Sequence, residues 1–319
     1  MKILVAGEIN CDVILQGYHA FPELGKEVLV NDCLLTLGSA SLICAAGLAR
    51  LGDEVAFLGK VGRDYWGEFC LARMREIGID VSRVIVVPGL KTGITVSISS
   101  RVDRALVTHL GAITELRGGD IPDSALAGFD HLHVSSFFLQ EGLRPAVPDL
   151  FARATARGLT TSLDPGFDPS EKWDGDLAAA LARCDVFLPN EVELAGAGRS
   201  PDPVKALGAL ANGRTLTAAK LGREGAMALD GGQPVRVPAF PVEVVDTTGA
   251  GDSFNAGFLH AWLRRMPLVE CLRYGAACGA LSTRGMGGTT TQAAEEDVRA
   301  MLGGQATRPA SAGCSSPAR

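Results

Sequence analysis

The sequence predicts an α/β fold: a mainly parallel central sheet covered by helices on both faces, with a small β-sheet lid. Three observations carry that expectation. Short apolar runs, the first at residues 3–6, have the unbroken hydrophobicity of strands buried on both faces. Beyond Gly118 such runs alternate with amphipathic stretches of helical period, the pattern of repeated βα units. One segment differs in kind: Ile94, Val96 and Ile98 alternate strictly with Thr95, Ser97 and Ser99, which predicts a half-exposed strand outside the core.

The elements follow in order. The strand at 3–6 ends in Gly7, and just beyond it Asn10 and Asp12 stand two apart, on one side if the chain stays extended. Residues 27–37 are β-prone; Gly38, Ser39, Ala40 and Ser41 then open a helix through Leu42 and Ile43 to Gly52. A strand at 55–58 precedes a helix capped by Asp64 and stopped by Gly78. Residues 92–100 and 105–109 predict an antiparallel hairpin that pairs with 27–37 to make the lid. Strands are expected at 131–134, 159–163, 186–188 and 216–219, and helices at 143–157, 177–183, 203–211, 268–280 and 295–302. One domain, 1–302, thus carries lid insertions at about 12–37 and 90–111, and 303–319 reads as a disordered tail. Ligands of such folds bind beyond the carboxyl ends of the strands, which directs attention to Asp164, Asn190, Glu193, Lys220 and Gly222.

Composition excludes several classes. Of 319 residues, 47% are hydrophobic and 21% charged, as in soluble globular proteins. The net charge of -6 and the lack of any basic block argue against nucleic acid as a partner. No apolar run suits a signal peptide or a membrane span, so a cytoplasmic protein is expected. The eight cysteines form no Cys-x-x-Cys pair and read as thiols of a reducing compartment. Neither a Walker loop nor the glycines of a dinucleotide fingerprint are present.

The stretch most charged with chemistry is 245–257. Gly249, Ala250 and Gly251 form a bend poor in side chains, followed by Asp252 and a helical pattern through Phe254, Phe258, Ala261 and Trp262. A helix starting here turns its first N–H groups and its positive dipole end toward an anion. Asp252 could there accept the proton of an alcohol attacking a phosphate; alternatively it caps the helix and the glycines only turn the chain. Asn190 and Glu193 suit either a hydrated magnesium ion or a capping box, while Asn10 and Asp12 suit either ligand hydroxyls or a turn.

Residues 246–257, with Asn10 and Asp12, the Gly38 region, Thr92-Gly93, Pro189-Asn190-Glu191 with Glu193, and Lys220-Leu221-Gly222 with Gly225, resemble the PfkB carbohydrate kinase family, of ribokinase-like fold, up to about residue 300. The resemblance implies Asp252 as the base and the amides of Gly249, Ala250, Gly251 and Asp252 as the anion hole. It implies that Asn190 and Glu193 organise Mg2+ through water, that Lys220, Gly222 and Gly225 line the ATP site, and that Asp246 and Thr248 help hold a monovalent cation such as K+. Asp12 would bind sugar hydroxyls, with Asn10 and Gly38 beside it. Departures concern the acceptor: Ser39 replaces the second glycine of a pair, Ile43 a common asparagine, and Phe137 a polar side chain. The expected activity is transfer of the terminal phosphate of ATP to a hydroxyl, primary by expectation, of a sugar or sugar-like molecule. A nucleoside kinase and a silent sugar-binding regulator are the alternatives, and exposed lid strands suggest a homodimer.

Overall fold

The computed structural model describes residues 1–18, 20–99 and 104–305. Its central sheet has eight strands in the spatial order Gln233–Val237, Ala226–Asp230, Leu216–Lys220, Val186–Phe187, Thr160–Leu163, His131–Val134, Lys2–Ala6 and Glu54–Leu58. The last six are parallel; the first two add antiparallel to the edge. From Lys2–Ala6 the chain first builds outward to Glu54–Leu58 and then returns to the other side with His131–Val134. That reversal opens a crevice beyond the carboxyl ends of these two strands.

Burial explains the apolar runs. Ile3 and Val5 face a cluster that includes Phe57, Phe254, Phe258 and Leu272. Leu4 and Ala6 face a second, with Leu132, Phe151 and Phe187. Successive side chains of a strand point to opposite faces, so a strand covered twice is apolar at every position. Helix Tyr65–Ile77 starts where the Asp64 carboxylate accepts the Gly67 amide at 2.8 Å and ends at Gly78, whose φ of 93° is left-handed.

The lid departs from expectation in two respects. Its sheet runs Asp32–Gly38, Asn10–Gln16, Gly93–Ser99, Arg104–His109, and residues 27–31 are not part of it. The expected hairpin forms, although its turn at 100–103 lies outside the described residues. It does not pair with Asp32–Gly38, however: Asn10–Gln16 lies between, antiparallel to Asp32–Gly38 and parallel to Gly93–Ser99. The half-exposed strand is as expected, with its polar side chains on the buried face. Thr95 is 9% exposed and Ser97 3%, whereas Ile94, Val96 and Ile98 are only half-buried. Polar side chains face inward because Asp12, Thr36 and Thr95 share one register row above the site.

The final helix runs Glu295–Gln305, and the tail from 306 lies outside the described residues, as does Cys314. Cysteines 11, 33, 44, 70, 184, 271 and 278 are free thiols. Among the described residues no helix is long and apolar enough to cross a membrane.

Two histidines occupy the sheet where apolar side chains are the rule. His131 Nε2 and His133 Nδ1 both meet Ser162 Oγ at 2.7 Å; His131 Nδ1 reaches Thr160 and His133 Nε2 reaches Ser135. Each hydroxyl can donate to one ring nitrogen and accept from another, so two neutral rings are fully partnered. Burial pushes their pKa values from 6.5 down to about 3 and about 4. The unfolded chain therefore binds protons below 6.5 that the folded chain refuses. Their stabilising contribution is present above pH 6.5 and lost as pH falls toward 4, by up to about 1.4 kcal/mol per unit for each histidine. Urea unfolding should show a midpoint falling steadily from pH 7 to pH 5; a constant midpoint would contradict neutral, buried rings.

Candidate active site

Helix Ala250–Leu263 sets the geometry. Its cap is Gly249, left-handed at φ 72°, and not Asp252, which is the third residue of the first turn. A Cβ at 249 would lie 2.7 Å from Gly288 Cα and 2.9 Å from Ile43 Cγ2, so only glycine fits the bend. Ser253 N–H is the first to close on the helix, to Gly249 O at 2.8 Å, and Ala250 N–H turns back to Thr247 O at 3.3 Å. The amides of Gly251 and Asp252 thus precede the first helical carbonyl that could take them. At the far end Asp53 holds His260 Nδ1 at 2.7 Å and Arg264 Nη2 at 2.9 Å, fixing the helix along its axis. Ahead of the bend, Asp246 Oδ1 accepts Thr248 N–H and Oγ–H, and Oδ2 accepts Gly287 N–H at 2.9 Å, which ties this stretch to the Gly-rich turn.

On one side of the helix start lies a cavity of about 600 Å3, lined by Lys220, Gly222, Gly225, Phe240, Gly251 and Phe254 among others. Gly225 has φ 92°, and a Cβ there would strike Val237 O. Lys220 Nζ donates to Asp164 Oδ2 at 2.7 Å and to Asn255 Oδ1 at 3.2 Å, while Asn255 Nδ2 donates to Asp164 Oδ2 at 2.6 Å. Asn190 and Glu193 form the capping box: Asn190 Oδ1 accepts Glu193 N–H at 2.9 Å and Glu193 Oε2 accepts Asn190 N–H at 2.7 Å. Burial and the nearby Asp164 charge push Glu193 up to about 7. Among the described residues no three His, Cys, Asp or Glu side chains converge into a metal cage. This donor set therefore fits a cation that keeps its waters, held through Glu193 and Asn190, better than one stripped of them.

On the other side the lid strands bring the expected acceptor residues together. Asn10 Nδ2 donates to Asp12 Oδ1 at 2.8 Å and to Thr95 Oγ1 at 2.9 Å, while its buried Oδ1 has no partner among the described residues. A Cβ on Gly38 would lie 2.0 Å from Asp12 Oδ1, so this carboxylate occupies the space that glycine leaves. Ser39 stands at φ 72°, which accounts for a glycine being usual there; its Oγ donates to Glu8 O at 2.8 Å and accepts Leu42 N–H at 3.2 Å. That hydroxyl caps a helix and is spent. Ile43 packs over Gly249 and Gly288, beside the start of helix Ala250–Leu263. Phe137 is not at the site: it is 0% exposed and sits with Phe138 in the second core cluster, because the chain turns its ring under the sheet's covering layer.

Several groups were not singled out from the sequence. Glu8 is buried, accepts Ser41 N–H at 3.1 Å and Oγ–H at 2.5 Å, and has its pKa raised by burial. Asn255 lies inside the 246–257 stretch, yet only the fold shows its bond to Asp164, 91 residues away. Thr36 and Thr289 pair at 3.2 Å across the lid and the Gly-rich turn. None has a local sequence signal, since each partner comes from a distant element.

Residues 2–295 match the model of the pfkB family of carbohydrate kinases. An ATP-dependent ribose-1-phosphate kinase of Halopiger xanaduensis is 31% identical over 95% of this chain and 98% of its own. A fructokinase of Klebsiella pneumoniae is 32% identical over 83% and 91%. Arabidopsis thaliana ribokinase, solved with ribose and ATP, superposes with a TM-score of 0.81 at 22% identity, covering 94% of this chain and 98% of that one.

Gly38→Ala should displace the Asp12 carboxylate and raise KM for the acceptor by roughly tenfold or more, with KM for ATP within about threefold of wild type. Steady-state kinetics varying each substrate in turn would check this; equal changes in both constants would contradict it.

Proposed function

The chain belongs to the pfkB family of carbohydrate kinases, and from that premise we propose that it transfers the terminal phosphate of ATP to a hydroxyl of a sugar or sugar-like molecule with Asp252 as the base. The observation that carries the reading is the position of Asp252 in the first turn of helix Ala250–Leu263, where the nucleotide cavity and the lid-covered acceptor residues meet. The acceptor hydroxyl, oriented by Asp12 and Asn10, attacks the terminal phosphorus in line and passes its proton to Asp252. The amides of Gly251 and Asp252 receive the charge gathered by the transferred group. Mg2+ held through Asn190 and Glu193 would supply further neutralisation of the phosphates. Asp246 and Thr248, anchored to Gly287, suit the loop of a monovalent-cation site.

The inward polar face of the lid supports a polyhydroxylated acceptor, and closing it excludes water that would otherwise hydrolyse ATP. Ile43, apolar and adjoining the anion hole, argues against ribose held through an amide at that position. The Halopiger relative makes sugar phosphates part of the class to be tested. Composition supports a cytoplasmic location. Leu106 and Val107, 57% and 63% exposed on the lid's edge strand, support pairing of two lids in a homodimer.

An ADP-release assay over ribose, ribose 1-phosphate, fructose, sugar acids and nucleosides should give turnover with a sugar-class acceptor; turnover with nucleosides alone would reassign the substrate. Asp252→Asn should lower kcat by about 10²–10⁴-fold while acceptor binding stays measurable by calorimetry, and surviving activity would remove Asp252 as the base. Sedimentation at micromolar concentration should show a dimer, and Val107→Asp a monomer; a monomeric wild type would end that part of the reading.

A further inference from the structure

Resting on the kinase reading above, we infer that Lys220 is a further catalytic residue, whose ammonium, pinned by Asp164 and Asn255, meets an oxygen at the junction of the second and third phosphates of ATP. Three observations lead there. The first is place: Lys220 ends the strand Leu216–Lys220 and lines the nucleotide cavity. A Cβ built on Gly251 would have Lys220 Cδ, Nζ and Cε as its nearest atoms, at 3.6 to 3.8 Å. The ammonium therefore lies against the helical turn whose amides face the transferred group.

The second is valence. An ammonium has three N–H donors. Asp164 Oδ2 and Asn255 Oδ1 take two, and the third is left for the cavity. Asn255 also donates to Asp164 Oδ2, which closes a ring of three side chains. Asn255 follows Asp252 by three residues on the same buried helix, so the ring holds Lys220 in register with the base and the anion hole.

Charge is the third. Burial works against the charge on Lys220, while Asp164, Glu193 and Asp252 act in its favour and raise its pKa above the ordinary value. A buried cation beside three carboxylates is costly to maintain if its duty is only to neutralise Asp164, since an apolar pair would fill the same space more cheaply. It has a clear use when a polyphosphate enters. As the acceptor oxygen bonds to the terminal phosphorus, the bond from that phosphorus to the bridging oxygen breaks. The electron pair leaves on ADP, and the acceptor proton goes to Asp252. Lys220 keeps its own proton and donates a hydrogen bond to the oxygen on which charge appears. Asp164 and Asn255 act through Lys220 and are positioning residues.

The test compares wild type, Lys220→Met, Lys220→Arg and the double variant Lys220→Met with Asp164→Asn, in kcat, both KM values and thermal midpoint. Lys220→Met should lower kcat about 10²-fold, with KM for the acceptor within about threefold, and Lys220→Arg should recover part of the loss. The double variant removes the Lys220–Asp164 ion pair as a unit, so Asp164 is not left without its partner; its thermal midpoint should lie above that of Lys220→Met, and it should stay as slow. A double variant that regains wild-type kcat would overturn the inference, because Lys220 would then serve only to balance Asp164. So would a Lys220→Met that keeps its kcat beside an active wild type. A wild type that releases no ADP with any acceptor would overturn the kinase reading itself, a distinct result.

Discussion

The constraint on which the structure depends is the start of helix Ala250–Leu263. A helix leaves its first N–H groups without carbonyls of its own, and here that end borders the cavity lined by Lys220, Gly222 and Gly225. Much of the surroundings serves to hold it there. Asp53 grips the opposite end through His260 and Arg264, Asp246 ties the approach to Gly287, and the Lys220–Asp164–Asn255 ring joins the first turn to two strand ends. Preorganisation of this kind lets dipoles act without rearranging during the reaction.

Charge is distributed to the same end. Three carboxylates, Asp164, Glu193 and Asp252, act on one buried lysine, and Glu193 is pushed up to about 7. Charges act on one another more strongly at low dielectric than in water, so the Lys220 ammonium is what offsets these carboxylates within the buried cluster.

Local pattern made the core legible. The strands at 3–6 and 55–58 were visible because burial on both faces removes polar residues, and Asp64 and Gly78 bracketed their helix through ordinary capping chemistry. The Gly-rich bend was visible for a similar reason: a left-handed cap and close approach to Gly288 leave only glycine at 249. The lid was read with the wrong partner, and its buried face was left open. Its periodicity reported alternation but not which side met solvent, because Thr95 and Ser97 point into a polar interior that is assembled from three other strands. The partners of Lys220 were hidden likewise, lying 56 and 35 residues away. Phe137 shows the opposite error, in which alignment with a family position outran the packing of this particular chain.

Ile43 touches both Gly249 and Gly288, so the side chain that departs from the family's common asparagine also packs on the bend that opens helix Ala250–Leu263. On the proposed reading, acceptor choice and catalytic geometry share one residue. An evolving lineage could not enlarge or polarise the acceptor site at this point without also shifting the bend that carries the amides. Changes in substrate would be easier to accumulate on the polar inner face of the lid, where Thr95, Ser97 and Thr36 stand apart from the catalytic helix. The fold thus divides its positions into those free to drift in specificity and those bound to turnover, with Ile43 on the border between them.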